Sequence, residues 1–167
     1  VTVVGAGYVG LSNGLMLSKH FQTSLIDKDN LKINSLKKNI SPIKDKKIEE
    51  YLSNEKLNIK FSSELENVFG RTDLYILALP TNYSQTTNSF DTTILTEVID
   101  QISSNEAESC VLIKSTIPVG FTDEISKKYR NIKFFFSPEF LREGTALADC
   151  LSPSRIVIGS NHIDEAN

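Results

Sequence analysis

The chain has 167 residues and is 40% hydrophobic, which is enough to build the core of one domain. Its net charge of −3 provides no basic surface for nucleic acid, and the sequence has no run of about eighteen apolar residues that would span a membrane. Two cysteines and two histidines are too few for a disulfide framework or a metal site. The small number of cysteines is typical of proteins of the reducing cytoplasm, which is therefore the expected location.

Short apolar runs alternate with longer amphipathic segments along the chain. The apolar runs predict strands at residues 1–4, 23–26, 74–79, 110–113, 132–136 and 156–158, and the alternation of apolar and polar residues at 57–61 predicts a half-buried strand. The intervening segments predict helices at residues 8–18, 29–38, 48–52, 63–69, 91–103, 122–129 and 144–149. Asp91 is a candidate cap for the helix at 91–103, and the polar stretch 81–91 predicts a surface loop. Strands that are apolar on both faces and alternate with helices indicate the α/β class.

A glycine-rich turn joins the first predicted strand to the first helix. Residues 5–10 read Gly-Ala-Gly-Tyr-Val-Gly, the spacing G-x-G-x-x-G. In this context Gly5 permits a tight turn, Gly7 lets the backbone approach a pyrophosphate, and Gly10 lets the helix pack closely on the strand. The free N–H groups at the helix start then face the phosphates. The turn predicts a dinucleotide site on a Rossmann-type, doubly wound, mostly parallel sheet with helices on both faces.

An acidic residue follows the second predicted strand. Asp27 lies seventeen residues beyond Gly10, close to the spacing expected for a carboxylate that accepts hydrogen bonds from the adenosine ribose. The same carboxylate would repel a 2′-phosphate, so the sequence favours NAD over NADP. Lys28 and Lys32 are nearby cations that weaken this preference.

Polar residues concentrate where three later strands end, in segments 80–83, 114–120 and 137–144. Ligands of an open parallel sheet bind beyond these carboxyl ends. The Thr116 hydroxyl could hold a water or a nicotinamide amide, or it could cap the next turn. Glu139 and Glu143 are four residues apart, so they share one face if this segment is helical. Either carboxylate could act as a general base toward water, or as a solvated acid at a helix start.

Together these segments resemble the N-terminal domain of the UDP-glucose/GDP-mannose dehydrogenase family. The resemblance covers nearly the whole chain and rests on segments 5–11, 41–43, 80–83, 114–120, 137–144 and 153–159, in the family's order. Thr81-Asn82-Tyr83 is most similar to the bacterial members that act on UDP-glucose for capsules and surface polysaccharides. The resemblance implies oxidation of the C6 alcohol of a nucleotide-bound sugar to a carboxylate with two NAD+, here UDP-glucose to UDP-glucuronate.

The resemblance also implies roles for individual residues. Residues matched to NAD contacts are Gly5, Gly7, Tyr8, Val9, Gly10, Asp27, Lys32, Thr81, Thr116 and Glu143. Residues matched to the sugar nucleotide are Glu139, Phe140, Leu141, Arg142 and Glu143. As catalytic residues, Thr116 and Glu143 match positions that orient or activate water, and Glu139 matches one that supports the sugar site.

Parts of the family's catalytic machinery have no counterpart in this sequence. The family carries a nucleophilic cysteine in a Gly-Gly-x-Cys segment of a C-terminal domain, and a central helix builds its homodimer. Residues 1–167 are therefore expected to form the NAD-binding N-terminal domain alone, which would bind NAD without turnover. Cys110, within a predicted strand, and Cys150, near a helix end, are interpreted as structural.

Three alternatives remain open at this stage. The sugar nucleotide could be GDP-mannose or a UDP-N-acetylhexosamine, because related dehydrogenases share most of these segments or the fold. A hydroxyacid or phosphogluconate dehydrogenase would share the glycine turn but lack segments 114–120 and 137–144. A non-catalytic NAD-binding module, acting as a sensor or scaffold, would keep the cofactor site alone.

Overall fold

The computed structural model describes residues 1–54, 56–86 and 88–161, so the end of the domain expected at 1–167 lies outside the described residues. The strands are β1 Thr2–Val4, β2 Thr23–Ile26, β3 Ile59–Ser62, β4 Leu74–Leu77, β5 Tyr83–Ser84, β6 Ser89–Phe90, β7 Ser109–Ile113 and β8 Ile132–Phe136. The helices are α1 Tyr8–Leu17, α2 Asn30–Leu36, α3 Lys46–Asn54, α4 Thr93–Asn105, α5 Phe121–Lys128 and α6 Ala146–Leu151. A 3₁₀ turn occupies Leu65–Val68, within the helix predicted at 63–69.

The main sheet has six strands in the order β3-β2-β1-β4-β7-β8, and all of its neighbouring strands are parallel. The chain builds outward from β1 through β2 to β3, and then returns to place β4, β7 and β8 on the other side. This reversal leaves a crevice beyond the carboxyl ends of β1 and β4, which is where an open α/β sheet binds ligands. The predicted doubly wound α/β fold is confirmed.

The core consists of two apolar layers, one on each face of the sheet. Val4 and Leu77 point to the layer completed by α4 and α5, whereas Val3 and Ile76 point to the layer completed by α1, α2, α3 and α6. Successive strand residues alternate between the faces, and both faces are covered. The inner strands therefore read as largely apolar runs in the sequence, whereas the edge strand β3 alternates apolar and polar residues. None of the described helices is long and apolar enough to cross a membrane.

Two segments differ from the sequence prediction. The strand predicted at 156–158 is not formed: these apolar residues are exposed, and only Gly159 makes an isolated antiparallel bridge, to Phe136 at the edge of the sheet. An apolar run becomes a strand only where a neighbour supplies a continuous ladder of hydrogen bonds, and here the pairing is confined to one residue.

The predicted loop at 81–91 contains the hairpin β5–β6, although residue 87 lies outside the described residues. The rings of Tyr83 and Phe90 meet edge to face with centroids 5.3 Å apart, and Asp91 N donates to Asn82 O at 2.9 Å. Thr92 occupies the N-cap position of α4, but its side chain makes no hydrogen bond to the helix. The Asp91 carboxylate still accepts from Thr93 N at 3.0 Å, so it contributes to the helix start from one position earlier.

A buried aspartate ties together two helices that are far apart in sequence. Asp45 is 2% exposed, and its Oδ1 accepts from the N–H groups of Lys47 at 2.9 Å and Ile48 at 3.2 Å, at the start of α3. Its Oδ2 accepts from Leu147 N at 3.3 Å, in the first turn of α6. One carboxylate therefore satisfies N–H groups of both helix starts.

Asp45→Ala is expected to lower the free energy of unfolding by about 3 kcal/mol, because it removes a cap and leaves buried N–H groups without partners. The matched control is Asp29→Ala, which removes the more exposed cap of α2, where Asp29 Oδ1 accepts from Leu31 N and Lys32 N. That substitution should cost about 1 kcal/mol. Urea unfolding followed by circular dichroism measures both. Equal losses in the two variants would show that the tie to α6 adds nothing.

Candidate functional site

Three clefts open at the carboxyl end of the sheet. The β2 cleft has a volume of about 430 Å³ and lies against the end of β2, α4 and the glycine turn. The β7 cleft, of about 380 Å³, lies between Val9, Thr81 and the segment after β7. The α6 cleft, of about 340 Å³, lies between α1, α6 and segment 137–142. Lys114 and Glu139 line both the β7 cleft and the α6 cleft.

The glycines of the first turn are required for two different reasons. Gly5 has a φ of +106°, and a Cβ there would lie 2.2 Å from Ala78 O. A Cβ on Gly10 would lie 1.8 Å from Gly5 O, so α1 packs on the turn at a distance that only glycine allows. Gly7 differs, because a Cβ there would meet no protein atom within 4 Å. The space in front of Gly7, at the start of α1, is therefore open to a ligand.

Asp27 connects the glycine turn to the start of α2. Its Oδ2 accepts from Ala6 N at 2.7 Å, and its Oδ1 accepts from Asp29 N at 2.9 Å. Lys32 Nζ lies 3.7 Å from Oδ2. The side chain is 12% exposed and lines the β2 cleft, so the carboxylate holds two loops in place while it still faces the cleft. Lys28 and Lys32 line the same cleft, as the sequence analysis anticipated.

The β7 cleft brings together predicted site residues from four separate segments. Val9, Thr81, Thr116 and Glu139 all line it, although they are far apart in sequence. Tyr8 is half-buried as the first residue of α1. Glu143 is exposed and lies outside the residues that line the three clefts, so the structure does not group it with Thr116. The roles of Tyr8, Val9, Thr81, Thr116, Glu139 and Glu143 in catalysis and binding stay predictions.

The segment that carries Glu139 and Glu143 is not helical. The condition under which the two carboxylates would share one helix face is therefore not met. Pro138 disfavours a helical conformation at Ser137, and Gly144 adopts a left-handed conformation with a φ of +83°. As a result Glu139 turns inward to form an ion pair with Lys114, whereas Glu143 stays exposed.

Lys114 is a central residue of the site that the sequence analysis did not single out. Its side chain is only 10% exposed and pairs with the carboxylate of Glu139, which is 16% exposed. Its Nζ also lies 3.3 Å from Ser137 Oγ and 3.5 Å from Ser137 O. Burial lowers the pKa of Lys114 below its ordinary value. A lysine that directly follows a buried strand was the available signal in the sequence.

Ser115 is a second residue that the sequence analysis missed. Its buried hydroxyl accepts from Leu79 N at 2.8 Å, where the chain leaves β4. The N–H of Lys114 donates to Leu77 O at 2.8 Å, on the same strand. These hydrogen bonds join the segment that follows β4 to the segment that follows β7. They therefore position Thr81 relative to Thr116.

The α6 cleft contains most of the residues matched to a sugar nucleotide. Glu139, Phe140, Leu141 and Arg142 line it, together with Arg155, whose guanidinium lies 4.3 Å from the Phe140 ring centroid. Cys150 also lines it, and burial raises the pKa of its thiol to about 11. Such a thiol is protonated near neutral pH and is a poor nucleophile, which supports a structural interpretation. Cys110 is half-buried in β7.

Arg142 and Asp149 connect segment 137–144 to α6. Arg142 Nε and a terminal guanidinium nitrogen donate to the two carboxylate oxygens at 3.1 and 2.7 Å, and Arg142 N donates at 3.0 Å. Thr145 Oγ1 donates to the same carboxylate at 3.2 Å. The Arg142 guanidinium lowers the pKa of Asp149 from 3.8 to about 2. The stabilisation is therefore fully present above about pH 4 and is lost as the pH falls toward 2.

Asp149→Asn is expected to increase the amide hydrogen exchange rate of Arg142 and Thr145 about two- to fivefold at pH 7, the range for an exposed ion pair. The wild-type rate, corrected for intrinsic exchange, should rise in the same way as the pH falls from 4 toward 2. Asp123→Asn, at an exposed carboxylate on α5, is the control and should not alter exchange at these amides. Unchanged exchange in Asp149→Asn would mean that the ion pair does not hold the segment.

Comparison with known proteins places this site in a family. The model of the NAD binding domain of the UDP-glucose/GDP-mannose dehydrogenase family matches residues 1–167. The chain belongs to this family. The UDP-glucose 6-dehydrogenases of Campylobacter jejuni and Streptococcus pneumoniae are 39% and 40% identical over 165 and 161 residues. These matches cover 98% and 96% of this chain, which spans only 42% and 41% of the length of the two relatives.

Solved structures of the family share the fold. A GDP-mannose dehydrogenase from Pseudomonas aeruginosa, solved as a ternary complex, has a TM-score of 0.87 at 21% identity and is matched over 99% of this chain and 42% of its own. A UDP-glucose dehydrogenase from Pyrobaculum islandicum has a TM-score of 0.86 at 25% identity, with 99% of this chain and 41% of its own covered. These two structures therefore share the fold of this chain.

The cofactor of this domain is NAD, and the residues present fit it. The open space in front of Gly7 accommodates a group that approaches the start of α1, and Asp27 presents a carboxylate to the β2 cleft. Apolar side chains also line this cleft and suit an adenine ring; they are Val4, Ile26, Leu65, Leu79, Ile94 and Val98.

Proposed function

We propose that this chain is the cofactor-binding part of an NAD-dependent dehydrogenase that oxidises C6 of a nucleotide-bound hexose, with UDP-glucose as the substrate and UDP-glucuronate as the product. The cofactor-contact surface would extend from the β2 cleft across Gly7 into the β7 cleft. The α6 cleft would form one wall of the sugar-nucleotide site. In this proposal the substrate is the one for which the two bacterial relatives are named.

One observation carries the proposal: the β7 cleft and the α6 cleft meet at a single ion pair. Lys114 and Glu139 line both clefts, so a cofactor in one and a sugar in the other would approach each other at these side chains. A dehydrogenase needs this arrangement, because the two reacting carbons must come within contact distance. A module that only binds NAD would not need a second cleft at that point.

The chemistry can be divided between cofactor and protein. Bound NAD+ supplies the acceptor for the hydride that leaves C6. Thr116 is exposed at the β7 cleft, where its hydroxyl would hold a water or the carboxamide of the cofactor. Glu139 would present its carboxylate to the sugar at C6. Glu143 is exposed outside the clefts in this domain, so the water-orienting role that the family resemblance implies would require the complete enzyme.

We further propose that the complete enzyme combines this domain with a sugar-nucleotide domain that carries the nucleophilic cysteine. It would act as a homodimer in the cytoplasm and serve the synthesis of capsule polysaccharide. The share of the relatives that this chain spans, 42% and 41%, supports a further domain. The raised pKa of the half-buried Cys150 thiol supports a nucleophile located elsewhere.

Two measurements test the proposed function. Isothermal titration of this chain should show binding of NAD+ and weaker binding of NADP+. The complete gene product should form two NADH per UDP-glucose, with GDP-mannose and UDP-N-acetylhexosamines as comparison substrates. NADH formation only with a comparison substrate would reassign the sugar. NAD+ binding without turnover of any sugar nucleotide would favour the non-catalytic module.

A further inference from the structure

We propose that Lys114 is a positioning residue that holds the Glu139 carboxylate, in its charged form, at the junction of the β7 and α6 clefts. This inference rests on the proposed function and deepens it. It assigns a role to Lys114, which belongs neither to the glycine turn nor to the residues predicted to orient water. It also assigns Glu139 the state of a paired carboxylate rather than a free base.

The geometry supplies the first step. Lys114 directly follows β7, and its N–H donates to Leu77 O at 2.8 Å, so its backbone is fixed to β4. Its ammonium is tethered to the backbone and hydroxyl of Ser137, at 3.5 and 3.3 Å. The cation therefore has a fixed location between two strand ends, and the ion pair transfers that location to Glu139 on a segment without regular structure.

Burial supplies the second step. The side chains of Lys114 and Glu139 are 10% and 16% exposed, so each charge has lost most of its hydration. An isolated charge at such a place is costly, whereas a paired one is retained. Without the ammonium, Glu139 would either take up a proton or turn out toward solvent. Either change would remove a carboxylate from the point where the clefts meet.

The other charged groups do not replace Lys114. The α6 cleft contains further titratable or charged side chains around the pair, and these are Arg142, Asp149, Cys150 and Arg155. Arg142 forms an ion pair with Asp149, and Arg155 lies over the Phe140 ring. From α1, Asn13 and Met16 line this cleft and are uncharged. Among the described residues that line the β7 cleft, Lys114 is the single cation.

The pH dependence of kcat is expected to reveal this role of Lys114. Burial lowers the pKa of Lys114, so its ammonium loses its proton at a lower pH than an ordinary lysine. The pair then breaks as the pH rises, which predicts a basic limb in the pH profile of kcat. Lys114→Arg should move this limb to higher pH, because a guanidinium keeps its charge. Lys114→Met should instead move the acid limb upward, because an unpaired buried carboxylate binds a proton more readily.

The test uses the complete gene product with NAD+ and UDP-glucose. Lys114→Met should lower kcat about 10²-fold, the cost of a misplaced reacting group, while the Kd for NAD+ changes less than about twofold. Lys114→Arg should retain kcat within about tenfold. The control is Lys127→Met, at an exposed lysine of α5, and it should leave both quantities unchanged.

A double-mutant cycle keeps the test decisive if Lys114→Met folds poorly. If Lys114 acts through Glu139, then Lys114→Met combined with Glu139→Gln should be no slower than Glu139→Gln alone. Additive losses would overturn the role. Normal NAD+ binding with unchanged kcat and pH profile in Lys114→Met and in Lys114→Arg would overturn the role of Lys114 alone. Absence of NAD+ binding by the unsubstituted protein would overturn the proposed function, and this role with it.

Discussion

Gly7→Ala is expected to weaken NAD+ binding about 10²-fold while leaving the fold intact, because displacing the pyrophosphate costs one or two charge-assisted hydrogen bonds of about 1.5–3 kcal/mol each. The added Cβ meets no protein atom within 4 Å, and Gly7 has an ordinary negative φ of −83°. The methyl group would therefore occupy space that the folded chain leaves open at the start of α1. The free energy of unfolding should change by about 1 kcal/mol or less, the effect of replacing a glycine cap.

Gly10→Ala is the matched comparison, and it should behave in the opposite way. Its Cβ would lie 1.8 Å from Gly5 O and 2.9 Å from Gly5 C, so backbone must move. We expect a loss of about 3 kcal/mol in unfolding free energy, at the upper end of overpacking costs. Urea unfolding and calorimetry with NAD+ separate the two variants. NAD+ binding by Gly7→Ala within twofold of the parent chain would contradict the path assigned to the pyrophosphate.

Asp27→Asn is expected to reduce the preference for NAD+ over NADP+ about 10²-fold. A carboxylate about 5 Å from a 2′-phosphate contributes a repulsion of about 3 kcal/mol at an effective dielectric constant of about 20. Lys28 and Lys32 remain beside the cleft in the variant and would then attract the phosphate. Asparagine is preferable to alanine here, because its amide oxygen can still accept from one of the two N–H groups that Asp27 binds, Ala6 N or Asp29 N. A truncated side chain would release both loops.

Asp29→Asn provides the control for this substitution. It removes the same charge from the same cleft, but its carboxylate caps α2 instead of facing the predicted ribose position. Its effect on the ratio of the two dissociation constants should stay below about threefold, as for a solvated charge. Calorimetry with both dinucleotides measures the ratio. An equal change in the two aspartate variants would contradict a specific role for Asp27.

The sequence was sufficient to predict the six strands of the main sheet, because five of them contain short apolar runs and β3 shows the alternation of a half-buried strand. Both patterns are local and need no distant information to be recognised. Residues 156–158 are a run of the same kind, yet they do not form a strand. What distinguishes them is pairing at the sheet edge, which is confined to Gly159. The hairpin β5–β6 has only two residues in each strand, and the rings of Tyr83 and Phe90 meet across it. Strands this short leave no local pattern in the sequence from which the hairpin could be predicted.

The candidate site divides in a similar way. The glycine turn and Asp27 could be recognised because their spacing reflects local geometry. The convergence of Val9, Thr81 and Thr116 could be anticipated from the rule that strand ends meet at one edge. The pairing of Lys114 with Glu139 could not be anticipated from the sequence, because it depends on the non-helical path of segment 137–144 after Pro138. The relative placement of Glu139 and Glu143 could not be predicted either, because it depended on whether this segment is helical.

The tie from Asp45 to α6 has a consequence for the order in which the domain folds. The bond joins residues 102 positions apart, and closing so long a loop costs chain entropy before any contact compensates for it. With six residues, α6 is too short to persist by itself in water. We therefore expect α6 to form only after β1, α1 and α3 have come together. The wall of the α6 cleft would then be assembled late, on a cofactor half that is already folded.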